Sequence, residues 1–376
     1  MDVLEQDTGT KGSMEQDTDG LLDAITALVS PLLTALDALA YAGRHLHPPD
    51  LQQVAGAVRQ FREPLSVGLE RFKAQEWPEH LQRFYSHCNE AAGHTLRAFD
   101  GLENSLADPS GVMVAYRAMG SSTRAIEVLY PVTSMLPPVS RFYVHEEYRE
   151  DEELNEKLVA ADPSREEVGV MHAANTSDER GGFSLYVPEY YDPDAACPLI
   201  VALHGGSGHG RSFVWTWLRE ARTRGAILLS PTSREGTWSL MGQDVDTPNL
   251  HRMVDHIKEH WNIDDERVLL TGMSDGGTFS YIAGLRERTP FTHLAPSSAS
   301  FHPMLLEVVS PSRIKDLPIY LMHGALDWMF PVDVARTARD AFAAAGADLT
   351  YREIEDLSHT YPREENMRIL DWLMGD

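Results

Sequence analysis

Residues 269–284 read LLTGMSDGGTFSYIAG, and the fold turns on this stretch. Four of its first five residues are apolar or β-branched, as in a strand buried on both faces. Glycines then bracket one serine, Gly272 and Gly276 around Ser274, and helix-forming residues follow. A strand that reverses sharply into a helix needs glycine where backbone passes close to backbone, and such a turn lifts the residue at its apex clear of the sheet.

Working outward, the residues from about 165 onward alternate between strand and helix signals. Val168 to Ala173 and Phe183 to Val187 read as a hairpin across the SDERGG turn. Further strands are expected at 198–206, 226–233, 267–274, 293–300, 317–324 and 349–355, separated by helices at 211–224, 248–261, 275–287, 332–345 and 363–374. Such alternation predicts a mostly parallel sheet with helices on both faces.

Upstream the pattern is different. Residues 1–20 are polar, acidic and glycine-dotted, which predicts a disordered tail. Residues 21–140 carry apolar residues at helical spacing, as in Leu81, Tyr85, Cys88, Ala92, Leu96 and Phe99, and no strand signal. Four or five helices are expected, broken near Pro48-Pro49, Pro64, Pro78 and Asp108-Pro109. An acidic run over 141–164 reads as a solvated linker or helix face, placing the strand-and-helix half at 165–376.

Composition narrows the function. The 376 residues are 43% hydrophobic and 24% charged, as in a globular protein, with a formal net charge of −25. No basic stripe exists to neutralise phosphates, so nucleic acid is not an expected partner. Two cysteines, Cys88 and Cys197, exclude a disulfide framework or a cysteine-based zinc site. The first twenty residues lack the apolar core of a signal peptide. The most apolar stretch, Ala24 to Leu36, has thirteen uncharged residues, too few to cross a bilayer. A cytoplasmic location is the expectation.

Serine is a poor nucleophile without a base, and the base needs an orienting acid. In a strand–turn–helix of this kind the acid and then the histidine are expected at later strand ends. YLMHGALDWMFPV supplies Asp327 three residues past a strand, and YREIEDLSHTYP supplies His359 after the last one. Asp333 is a rival acid, but it opens the next helix, where the helix dipole accounts for it. Glu355 and Asp356 lie too near His359 in sequence, and His204 and His323, each followed by glycine, read as structural. The loop LHGGSGHG (203–210) is placed to stabilise an oxyanion, with the backbone N–H of Gly206 as one donor and that of Asp275 as the other. A phosphate-cradling loop would need a following Gly-Lys-Ser/Thr, which is missing. Trp238 and Trp328 follow strand ends and are candidate substrate contacts.

These elements together, PLIVALHGG, DERVLLTGMSDGG, HGALDWMFPV and the late SHTYP, resemble the α/β-hydrolase family. The likeness is greatest to its phospholipase/carboxylesterase, feruloyl-esterase and polyhydroxybutyrate-depolymerase-like members, and covers about residues 165–376. The resemblance implies a Ser-His-Asp carboxylesterase acting on uncharged alkyl or aryl esters through an acyl-enzyme, without metal or organic cofactor. A serine peptidase or amidase of the same fold, or a non-catalytic interaction module, are the competing readings. Residues 21–140 lie outside the resemblance and are expected to serve as a cap over the site or as a homodimer surface.

Overall fold

The computed structural model describes residues 8–375. Its contacts divide the chain into two compact units, the first ending at Phe142 and the second beginning at Tyr143. Of the tail expected over 1–20, residues 1–7 lie outside the described residues, and from Thr8 the chain is helical. Once a helix is nucleated by packing, extending it costs little per residue.

The first unit is all helix. Its main elements are α1 (Thr8–Arg44), α2 (Leu51–Val58), α3 (Arg62–Lys73), α4 (Gln82–Ser105) and α5 (Gly111–Leu129). A short helix at Pro137–Phe142 follows. Leu28, Leu32, Leu36 and Leu39 of α1 recur at four, four and three and are all buried. They belong to the stripe that meets α3, α4 and α5. Over Asp19–Arg44 this helix is long and apolar enough, by length and composition, to cross a membrane. The count of thirteen uncharged residues understated it, because only Asp23 and Asp37 interrupt the longer stretch.

Helices α1 and α3 touch at backbone distance. A Cβ on Gly68 would overlap the Ala27 carbonyl of α1. A larger residue there must drive the two helices apart.

The second unit holds one eight-stranded sheet in the order β1-β2-β4-β3-β5-β6-β7-β8. The strands are β1 (Gly169–Ala173), β2 (Phe183–Val187), β3 (Cys197–Leu203), β4 (Ile227–Pro231), β5 (Ile263–Met273), β6 (His293–Ser297), β7 (Pro318–Gly324) and β8 (Asp348–Ile354). The first two form the expected hairpin, β2 runs antiparallel to β4, and β3 to β8 are parallel. All eight expected strands are present. The fifth begins four residues early, because Asp264, Asp265, Glu266 and Arg267 are polar and hid its start. The helix expected at 211–224 is three pieces, Gly210–Phe213, Val214–Thr216 and Leu218–Arg224. The acidic stretch read as a linker carries a short helix, Glu152–Ala160, capped by the Asp151 side chain on the Leu154 N–H at 2.9 Å.

Central strand β5 pairs with β3 on one side and β6 on the other, with Val201 opposite Leu270 and Leu203 opposite Gly272. From β3 the chain steps outward to β4, then returns across to β5. The carboxyl ends of β3 and β5 therefore flank the switch point of the sheet, where loops diverge and leave a crevice. The loop after β3 and the turn at Ser274 both open there.

Substituting Gly68→Ala is expected to cost about 1–3 kcal/mol through forced separation of α1 and α3. By contrast Gly56→Ala, in α2 with nothing within 4 Å of a new Cβ, should gain about 0.5–1 kcal/mol from lower backbone entropy. Urea unfolding of the two variants followed by circular dichroism measures the difference in sign.

Candidate active site

Ser274 occupies the single residue between β5 and the helix Asp275–Gly284. Its φ of +56° and ψ of −117° lie where a side chain is strained. Two constraints hold it there. A Cβ on Gly272 would stand 2.6 Å from the Gly276 carbonyl, and one on Gly276 would stand 2.5 Å from the carbonyls of Leu203 and His204. The glycines thus let β5, the following helix and the end of β3 meet at backbone contact. Ser274 N–H donates to Ser297 O at 2.9 Å, tying the apex to β6.

His359 comes from the loop after β8 and Asp327 from the turn after β7. The structure brings both to the serine. His359 Nε2 lies 3.1 Å from Ser274 Oγ and its Nδ1 lies 2.8 Å from Asp327 Oδ2. A carboxylate only accepts, so Nδ1 carries the proton and Nε2 is left to accept from the serine hydroxyl. All three residues are buried. The two loops are laced to each other before they reach the site: Ala325 N–H donates to Ile354 O at 2.9 Å and Leu326 N–H to Leu357 O at 3.0 Å. Gly324 makes this approach feasible, since a Cβ there would overlap the Leu357 carbonyl.

The second oxygen of Asp327, Oδ1, accepts the N–H groups of Met329 and Phe330 at 2.9 and 2.8 Å. His323 Nε2 lies 3.4 Å from Oδ2 and 2.8 Å from the Phe330 carbonyl, so its N–H donates to that carbonyl beside the carboxylate. Burial pushes the Asp327 carboxyl upward, but the bonds from His359 and Phe330 outweigh it and hold it below the usual carboxylate range. It is an anion fixed at both oxygens. The rival Asp333 lies on the surface at the start of its helix, paired with Arg336 at 2.9 Å.

Gly206 and Asp275 lie close together at the mouth of one cleft. A Cβ on Gly206 would stand 2.7 Å from Asp275 Oδ2. Asp275 opens its helix, so its N–H has no intrahelical acceptor. The Gly206 loop is held by polar neighbours, of which sequence reading marked only His204, as structural. His204, buried at the end of β3, accepts the Ser233 N–H on Nε2 at 3.1 Å and donates from Nδ1 to Gly205 O at 2.7 Å. Arg180, from the SDERGG turn, binds Gly208 O at 3.1 Å and Ser233 Oγ at 2.6 Å. Thr237 Oγ1 donates to Asp275 Oδ2 at 2.5 Å. Asp246 orders the next loop, accepting from Arg234 N and Ser239 N, both at 2.9 Å.

The candidate substrate contacts separate. Trp238 is only 3% exposed; its indole N–H donates to His204 O at 2.8 Å and its ring stacks on Phe279. Its main work is to buttress the Gly206 loop, although an edge reaches a cleft of about 550 Å³ lined also by Gly206, Thr237, Ser239, Met241 and Asp275. Trp328 stands on the Asp327 turn, 41% exposed. Arg180 and Asp246, which sequence reading did not single out and which no local motif distinguishes, support the site alongside His323, read as structural from its His-Gly pair.

Residues 241–374 match the family model described as phospholipase/carboxylesterase. A curated relative, the bifunctional acetylxylan esterase/xylanase XynS20E of Neocallimastix patriciarum, is 29% identical over 148 residues, 38% of this chain. The chain spans only about a fifth of that relative's length, 21%. Among solved structures a thermostable esterase is similar at 23% identity and a TM-score of 0.46, covering 55% of this chain and 62% of that one. FphF, a fluorophosphonate-binding serine hydrolase of Staphylococcus aureus, is similar at 13% identity and a TM-score of 0.43, covering 55% and 97%.

Two outcomes follow from this geometry. Asp327→Asn is expected to lower kcat by about 10⁴-fold, because an amide on Nδ1 no longer selects the tautomer. Asp333→Asn should leave kcat within about twofold, the loss of an exposed ion pair being worth little; steady-state kinetics on one aryl ester decides. Burial also pushes His204 down to about 3. Because this lies below the value in the unfolded chain, protons favour unfolding: stability is full above the ordinary histidine range and is lost as pH falls through it toward 3. Tm measured between pH 7 and pH 4 should fall less steeply in His204→Gln than in the wild type.

Proposed function

We propose that the second unit, an α/β-hydrolase of the phospholipase/carboxylesterase family by its residues 241–374, is a serine carboxylesterase using Ser274, His359 and Asp327. The observation that carries this reading is the relay from Ser274 Oγ through His359 to Asp327, at 3.1 and 2.8 Å, on a strained turn. What distinguishes Ser274 from the other residues at positive φ is the imidazole nitrogen within hydrogen-bond reach of its hydroxyl.

In the first half-reaction Ser274 Oγ attacks the ester carbonyl while its proton passes to His359 Nε2. Asp327 stabilises the imidazolium and does not itself take the proton. The carbonyl oxygen becomes an oxyanion held by the Gly206 and Asp275 N–H groups, each contributing about 3–4 kcal/mol to the transition state. The tetrahedral adduct collapses, His359 returns the proton to the leaving alkoxide, and the alcohol departs from an acyl-enzyme. Water then attacks, with His359 again as base, releasing the acid and free Ser274.

An uncharged alkyl or aryl ester is the substrate class this reading favours. Met241 and Trp328 supply exposed apolar surface on loops at the carboxyl edge of the sheet. The helical unit, residues 21–140, is proposed as a cover that excludes water from the acyl-enzyme; pairing of two copies through it is the rival role.

Ser274→Ala should reduce hydrolysis of p-nitrophenyl esters by at least about 10³-fold with an unchanged Tm, and should abolish labelling by a fluorophosphonate probe. Wild-type turnover in the folded variant would remove the serine from the mechanism. Faster cleavage of aryl amides than of the matching esters would favour the peptidase reading. A chain starting at Ser140 that keeps its full ester profile, and changes only from dimer to monomer by light scattering, would assign the helical unit to assembly.

A further inference from the structure

Away from Ser274, the last turn of the helix Asp246–His260 carries His256, Glu259 and His260. Spacing of three and four residues puts them on one helix face. One imidazole nitrogen from each histidine and one carboxylate oxygen of Glu259 all lie within 4.8 Å of one another, and all three side chains are exposed. Two imidazoles and a carboxylate are the donor set of a three-ligand zinc site, whereas calcium and magnesium prefer oxygen alone.

Further observations set this cluster apart from a chance grouping. His260 Nδ1 lies 2.8 Å from the carbonyl of His256 and donates to it, which fixes the ring and leaves Nε2 as the nitrogen available to a metal. Ligating histidines are held in this way, by a bond from the nitrogen that does not face the metal. The two imidazoles lie 4.3 Å apart, His256 against Phe183 at 6.2 Å and His260 against Trp261 at 5.7 Å. Lys258, between them in sequence, is bonded to Asp265 at 2.6 Å rather than to Glu259. A cation here would also face the helix's terminal carbonyls, the favourable end of the dipole, on a chain with a net charge of −25.

We propose that His256, Glu259 and His260 bind one divalent ion of the zinc class, with water completing a tetrahedral shell. The ion is structural and has no part in ester chemistry. The helix leads into β5 at Ile263, while Ser274 follows Met273 at that strand's far end; eleven extended residues separate them by roughly 36 Å. Its effect is to clamp the helix's last turn beside the hairpin residue Phe183. Counting cysteines dismisses only the cysteine-based zinc sites, and this one needs none.

The test is calorimetric titration of zinc chloride into the full chain, prepared without a histidine tag, alongside a His256→Ala/His260→Ala double variant. The wild type should bind one ion per chain and show a zinc-dependent rise in Tm. The double variant, altered only at exposed positions, should lose both while keeping its metal-free Tm and its esterase activity. Glu259→Gln should weaken binding by about tenfold or more, as loss of a group within a metal site does. A zinc isotherm unchanged in the double variant would place the ion elsewhere, and no binding by the wild type even at about millimolar zinc would remove the site; either result overturns the proposal.

Discussion

The backbone at Ser274, forced to a φ of +56°, is the constraint on which the rest of the second unit depends. Such a conformation costs of order 1–3 kcal/mol in isolation and persists only where surroundings over-determine it. Here the surroundings are backbone itself. Gly272 and Gly276 admit the carbonyls of β3 and of the following helix so closely that no other residue type fits without displacing main chain. Strand β5 must then be central, β3 must end beside it, and the loop leaving β3 must pass over the helix start. That single turn therefore fixes the start of the following helix as well as the serine.

Much of this was legible in the sequence because the signals are local. A buried strand declares itself by an unbroken apolar run, as in Pro198 to Leu203, and an elbow by glycines two residues either side of Ser274. The chain order of Ser274, Asp327 and His359 follows from the succession of strand ends. What escaped detection is held by contacts distant in sequence. Arg180 lies 53 residues from Ser233, which it binds, and nothing near it marks a partner. Trp238 read as a substrate contact because it follows a strand end; its burial depends on Phe279 and the His204 carbonyl, which only the fold brings to it. Strand β5 was read short for the opposite reason, since its exposed start at Ile263 to Arg267 carries charges that local pattern assigns to a loop.

The polar ties around the Gly206 loop differ in kind from the apolar core beneath. Packing of Leu203, Leu229, Leu270 and Phe279 stabilises the sheet without choosing among nearby loop positions. Directional bonds do choose. His204 acts as donor on one side and acceptor on the other, Arg180 spans two loops, and Asp246 accepts from two backbone groups. In a water-poor interior a half-satisfied group of this sort would cost more than it returned. Their satisfaction is what holds a glycine-rich loop in one position.

The lacing of the loops after β7 and β8 divides the site into two separately anchored parts. Backbone bonds from Ala325 and Leu326 join the turn bearing Asp327 to the one bearing His359. The acid and the imidazole are consequently tied to each other through main chain as well as through their own bond. Ser274 is anchored separately, through β5, β6 and its helix. The gap between imidazole and hydroxyl joins these two separately anchored parts and is the longer of the two contacts, 3.1 Å against 2.8 Å. A displacement of the outer loops would therefore fall on the contact between imidazole and hydroxyl before it reached the one between imidazole and carboxylate.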